Sequence, residues 1–177
     1  MDTYRLVPLT AEHLSLLHRW YSAEEHMELY TCRPAHKPGP IEEYREKWKK
    51  HLSDPSMKHF LLFYGDKPVG KISLFDYNPR NRSAEFGYYM PESNRGAGNG
   101  SRMMELFLKA AFSDETLALH KLFATTSSGN AASNRLLQKF GFHLDGRLRE
   151  HFFVGGEKYD QMIYSLLRTE WETGKHA

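Results

Sequence analysis

Apolar and polar residues alternate along TYRLVPL, which predicts a strand, and the spacing changes after Thr10. Leu14, Leu17 and Tyr21 recur at helical intervals, so TAEHLSLLHRWYSAEE is a helix with Thr10 as its N-cap. Three prolines and a glycine make YTCRPAHKPGP, from Tyr30, a loop. A second helix runs from Ile41 to about Leu52. KHFLLFY, GDKP and VGKISLFDY read as a strand, a turn and a returning strand, and RSAEFGYYM is a third strand of the same kind. A helix from about Gly98 to Phe112 leads to the strand KLFATTSS. The short helix of NAASNRLLQKFGF then ends with Gly141 in the C′ position. FHLDGRLREHFFV and KYDQMIYSLL flank GGE, a hairpin signal. The order predicts one α/β domain over residues 1–177, built on a mixed sheet.

Composition narrows the classes. Apolar residues make up 40% of the 177 and charged residues 26%, which excludes a disordered chain. FLLFY from Phe60 is the longest apolar stretch, far short of the ~18 residues that span a bilayer. MDTYRLVPL shows no secretory signal, and the single Cys32 fits a reducing compartment, so a cytoplasmic location is expected. A net charge of +2 without a basic stripe argues against nucleic acid. The amphipathic EEYREKWKKH pairs Glu and Lys about a turn apart, as a solvated helix face does. Ten histidines are scattered with no HxxxH or CxxC, so no metal is expected.

SNRGAGNGSRMMELF places glycines between a strand and a helix. First-turn amides have no partner within the helix, and the macrodipole makes that end positive. Glycines let a phosphate approach such backbone without meeting a Cβ. A P-loop needs GxxxxGK[ST], and Gly100 is followed by Ser101 and Arg102 instead. A dinucleotide fold needs GxGxxG after the first strand of a parallel sheet, and Gly96, Gly98 and Gly100 have the wrong spacing. The pattern present is R-x-x-G-x-G, at Arg95, Gly98 and Gly100.

On that motif, with AEFGYYM before it and NAASNRLLQKFGF after it, the chain resembles the GNAT superfamily of N-acetyltransferases over nearly its whole length. AEFGYYM, the N-x-x-S-N pattern at Asn130, Ser133 and Asn134, and YDQMIYSLL resemble its RimJ/RimL-like branch. The resemblance implies a mostly antiparallel sheet of about seven strands flanked by about four helices, splayed between the fourth and fifth strands. It implies acetyl-CoA as co-substrate, with pantetheine running in that gap as an added strand does. It assigns cofactor binding to Tyr89, Met90, Arg95, Gly96, Ala97, Gly98, Asn99, Gly100, Ser101, Asn130 and Asn134. The Gly96–Ser101 amides would hold the diphosphate, and the Met90 amide would donate to the thioester oxygen.

Catalytic groups come next. Strand alternation puts Glu85 on the face of Gly87 and Tyr89, where it could act as general base or pair with a cation such as Arg82. Glu150 and His151 are the reserve. Many relatives place an acidic tyrosine four residues before the last helix's G-F pair, and this chain has Leu137 there. Ser133 is the replacement proton donor. Cys32, in a proline-rich loop with no paired histidine, reads as a free thiol, so direct transfer through a ternary complex is expected.

Trp20, Tyr30, Phe75, Tyr77, Tyr89 and His151 fall in segments expected to line an acceptor site, where an aromatic wall suits an amine. Glu24, Glu25 and Glu28 could steer a cation. The leading acceptor is the N-terminal α-amine of a protein or peptide, which is partly neutral near its pKa of about 7.7–8.0. A polyamine, amino sugar or aminoglycoside is the alternative, as is a catalytically silent acyl-CoA-binding module. A homodimer is compatible with the family; no membrane or nucleic-acid partner is expected.

Overall fold

A computed structural model describes residues 3–31, 33 and 36–174. Cys32 lies outside the described residues. Seven strands lie in the order β1-β2-β3-β4-β5-β7-β6, and the chain divides into two compact units.

The first unit takes in residues 1–25, 37–77 and 86–111. β1 is Tyr4–Pro8, α1 Leu14–Ala23, α2 Ile41–Ser53, β2 Lys58–Tyr64 and β3 Lys67–Asn78. Antiparallel pairing joins β1 to β2 and β2 to β3, with a bulge at Leu62/Phe63. The expected first helix begins instead as a 3-10 turn, Ala11–His13, where the Thr10 amide donates to His13 Nδ1 at 3.1 Å. Leu9, Leu14, Leu17 and Leu61 form a buried cluster, closed by Trp20, Tyr21, Tyr44, Trp48 and Phe63. α2 buries no residue completely and contributes Tyr44 and Trp48 to that closure, as its charge-rich sequence requires. The end of β4 (Ser83–Tyr89), from Phe86, and the helix α3 (Asn99–Ser113), as far as Ala111, complete the unit, with the Phe86 and Phe107 rings 5.3 Å apart.

The second unit takes in residues 26–36, 78–85 and 112–177. The start of β4 (Ser83–Tyr89) pairs in parallel with β5 (Lys121–Ser127) over three residues, Ser83–Glu85 against Lys121–Phe123. Both strands run on past that ladder, and β5 continues against β7. α4 is Ala131–Lys139, and β6 (His143–Val154) and β7 (Glu157–Leu167) form the hairpin, with two bulges in β6. A fifth helix, α5 at Arg168–Glu172, has no counterpart among the four expected. Its anchors are tertiary: the Arg168 amide donates to His120 O at 2.8 Å and its Nε to Leu119 O at 2.6 Å. No local periodicity announces such a helix. Short 3-10 turns at Met27–Leu29 and Glu92–Asn94 escape the pattern for the same reason.

Candidate active site

β4 ends at Tyr89, and Met90, Pro91 and a 3-10 turn carry the chain to Arg95–Gly98. Gly96 and Gly98 have φ of +80° and +79°, and a Cβ on either meets nothing within 4 Å. The backbone therefore demands glycine while its outer side is open, the shape a diphosphate needs. Arg102 donates to Gly98 O at 3.2 Å and closes the first turn of α3. In such a helix the amides of Asn99 and Gly100 face out of the N-terminal end. Ala97 is exposed, and Gly100 and Ser101 are half-buried.

Asn99 serves the loop as a brace. Its buried side chain accepts from the Tyr4 hydroxyl at 2.8 Å and donates to Asn94 O at 2.9 Å. Asn94 in turn donates to Val69 O at 3.0 Å, so strands β1 and β3 both hold the loop. At Gly70 a Cβ would stand 2.9 Å from Met90 Cε and 3.3 Å from Tyr89 O, so a side chain there would crowd the end of β4.

Arg95 and Glu24 meet within the first unit. The Arg95 guanidinium turns back into the protein, with Nε donating to Met90 O at 2.9 Å and Nη2 to Glu24 Oε2 at 2.6 Å. Glu24 is only 7% exposed and also accepts from the Tyr89 hydroxyl at 2.9 Å. It is a buried, paired acid rather than one that steers a cation at the surface, because an unpaired buried carboxylate is too costly to keep. Tyr89 is likewise a core residue: its hydroxyl also reaches Trp20 O at 3.3 Å, and the Tyr21 ring lies 4.8 Å from its own. Burial, with Tyr44 and Tyr89 nearby, pushes the Tyr21 phenol far above its usual range. Trp20 thus contributes to this packed cluster. Phe75 lies over Gly87, 3.4 Å from the position of an added Cβ, and Tyr77 is half-buried at the end of β3.

In the second unit, Asn130 caps α4, its Oδ1 accepting from the Ser133 amide at 3.1 Å. Ser133 is buried at the first turn. The Asn134 side chain is spent on structure: it donates to Ser127 O at 2.9 Å and Asn130 O at 2.8 Å, and accepts from Tyr164 at 3.0 Å. Leu137 is fully buried and replaces the tyrosine with core packing.

Glu85 has a side chain 15% exposed; it accepts from Thr125 Oγ1 at 3.2 Å and lies 3.7 Å from Arg33 Nη2. A cation beside it is therefore Arg33, from the proline-rich loop. Tyr30 is half-buried where that loop begins, and Glu28 lies 3.7 Å from His26. Glu150 sits at positive φ in a β6 bulge, paired with Lys158 at 2.8 Å, and His151 beside it is exposed. Neither has the burial of a tuned catalytic group. Sequence reading missed Thr125, Arg33 and Tyr164, since contacts between segments distant in the chain leave no mark on spacing. Among the described residues, no three His, Cys, Asp or Glu side chains converge as a metal would require, and no helix is long and apolar enough to cross a membrane.

Residues 4–143 match the family model described as "Acetyltransferase (GNAT) domain". YdaF of Bacillus subtilis (strain 168), provisionally named a ribosomal N-acetyltransferase, is 28% identical over 178 residues, covering 98% of this chain and 90% of that protein. The spermidine N(1)-acetyltransferase of Escherichia coli (strain K12) is 26% identical over 153 residues, covering 86% of this chain and 80% of that protein. The Vibrio cholerae spermidine N-acetyltransferase, solved with CoA and spermine, superimposes with a TM-score of 0.85 at 24% identity, over 96% of this chain and 98% of that one. That likeness establishes the fold.

Proposed function

The chain belongs to the acetyltransferase (GNAT) domain family and is an acetyl-CoA-dependent N-acetyltransferase, and from that premise we propose that its acceptor is the N-terminal α-amine of a protein or peptide. In this reading the Gly96–Ser101 amides hold the diphosphate, Asn130 contacts the pantetheine, and the Met90 amide donates to the thioester oxygen. The neutral amine attacks the carbonyl carbon, the new C–N bond forms, and the C–S bond breaks to release the thiolate. Glu85 takes the proton from the amine nitrogen, directly or through water, and Ser133 supplies one to the sulfur.

The observation that carries the acceptor reading is that two candidate acids already have cationic partners. Arg33 already faces Glu85 at 3.7 Å, and Glu24 is taken by Arg95. An α-amine with a pKa of about 7.7–8.0 offers a neutral fraction at working pH, whereas an alkylamine near 10.4 needs a stronger base and more carboxylates. The likeness to the Escherichia coli spermidine enzyme favours a second reading, a polyamine or other small amine. Steady-state kinetics against peptides with free N-termini, spermidine and aminoglycosides separate the two. A kcat/KM for peptides at least about tenfold above that for spermidine, a difference of 1.4 kcal/mol, supports the first; the reverse order removes it.

A further inference from the structure

The diphosphate loop is held by a contact outside its own motif. Glu24, which ends α1, presents one oxygen, Oε2, to two donors: the Tyr89 hydroxyl at 2.9 Å and Arg95 Nη2 at 2.6 Å. The other arm of the same guanidinium, Nε, donates to Met90 O at 2.9 Å. Tyr89 and Met90 are the residues joined by the peptide that carries the Met90 N–H. Both flanks of that peptide are tied, one directly and one through Arg95, to a single buried carboxylate oxygen.

We infer that Glu24, acting through the Arg95 fork, is a positioning residue that fixes the Met90 amide for acetyl transfer; the inference rests on the role given to Met90 above. A peptide unit turns on two soft dihedrals, so restraining the Tyr89 ring and the Met90 carbonyl restrains the N–H between them. A donor already aimed at developing charge stabilises it without reorganising at the moment of reaction. The arginine of R-x-x-G-x-G then has a physical reason in this chain. A planar fork holds Met90 O and Glu24 at fixed angles to each other, which a freely rotating ammonium does not. The pair is desolvated on the Glu24 side, an arrangement suited to setting geometry rather than adding stability.

The test uses Glu24→Gln, Arg95→Lys and the double variant in the full chain. Three quantities are read: kcat and KM for the best acceptor found, CoA affinity by calorimetry, and amide exchange across residues 89–96. Each single variant is expected to lose kcat about tenfold while CoA affinity shifts by less than about twofold, a transition-state effect. Exchange across 89–96 quickens in both, and the double variant is no slower than the worse single, because the two act as one unit. Arg95 is partly exposed, so Arg95→Lys keeps the test alive if Glu24→Gln fails to fold. Unchanged exchange in a folded variant overturns the inference, as do a loss confined to CoA affinity and additive losses in the double. If the parent chain acetylates no amine, the reading of the reaction fails instead, and exchange at 89–96 still decides whether Glu24 holds the peptide.

Discussion

Gly96 and Gly98 combine a left-handed backbone with open space where a side chain would stand. Alanine at Gly98 is expected to cost about 1–3 kcal/mol in thermal unfolding, from strain rather than collision with the protein. In calorimetry the same change is expected to weaken CoA binding by more than that stability loss explains, as it would if the Gly98 backbone cups the diphosphate. Glu85 invites a second prediction. Glu85→Gln lowers kcat by at least about tenfold near pH 7 if the carboxylate is the base. With a peptide acceptor the deficit shrinks by pH 9, where most α-amines have already lost the proton, and a pH–rate profile of both proteins measures it. A deficit constant across that range argues against Glu85 as a base.

Between α2 and strands β2 and β3, half-buried basic side chains lie beside aromatic rings. Lys71 Nζ lies 4.9 Å over the Trp48 ring, and burial pulls its pKa down to about 8. Lys71→Met keeps the stem over Trp48 and removes the desolvated charge, so the melting temperature at pH 7 should hold or rise. A fall would mean the ammonium is better compensated than its surroundings indicate. His59 lies 5.1 Å from Trp48, bonds Ser73 through Nδ1 at 2.8 Å, and leaves Nε2 unpartnered. Burial first, then Lys71 and His51, lower its pKa to about 4, so the fold prefers the neutral ring. The unfolded chain binds the proton near pH 6.5 and the folded chain only near 4, so stability falls as pH drops through that window. With water still reaching part of the ring, the expected loss is about 1–2 kcal/mol. Chemical denaturation at pH 7 and 4.5 should show a smaller drop for His59→Gln than for the parent chain.

At the scale of the whole molecule, initial-rate plots against both substrates should intersect, as direct transfer requires, and Cys32→Ala should retain activity. Parallel lines with an inactive Cys32→Ala would mean an acyl-cysteine route. The element order was legible because each strand and long helix carries its own hydrophobic period, and the glycine-rich turn because glycine and a following helix leave a local signature. Local signals could not reveal α5, which its anchors at Leu119 and His120 define. They could not reveal the use of Glu24 by Arg95, 71 residues away, or of Glu85 by Arg33. Local sequence by itself determined the strands, the four longer helices and the glycine-rich turn, since those rest on near neighbours, and its motifs carried the family resemblance. Only the tertiary structure decided which acids are buried and paired and which asparagines are spent as braces, because burial and partnership depend on segments that meet after the chain has folded.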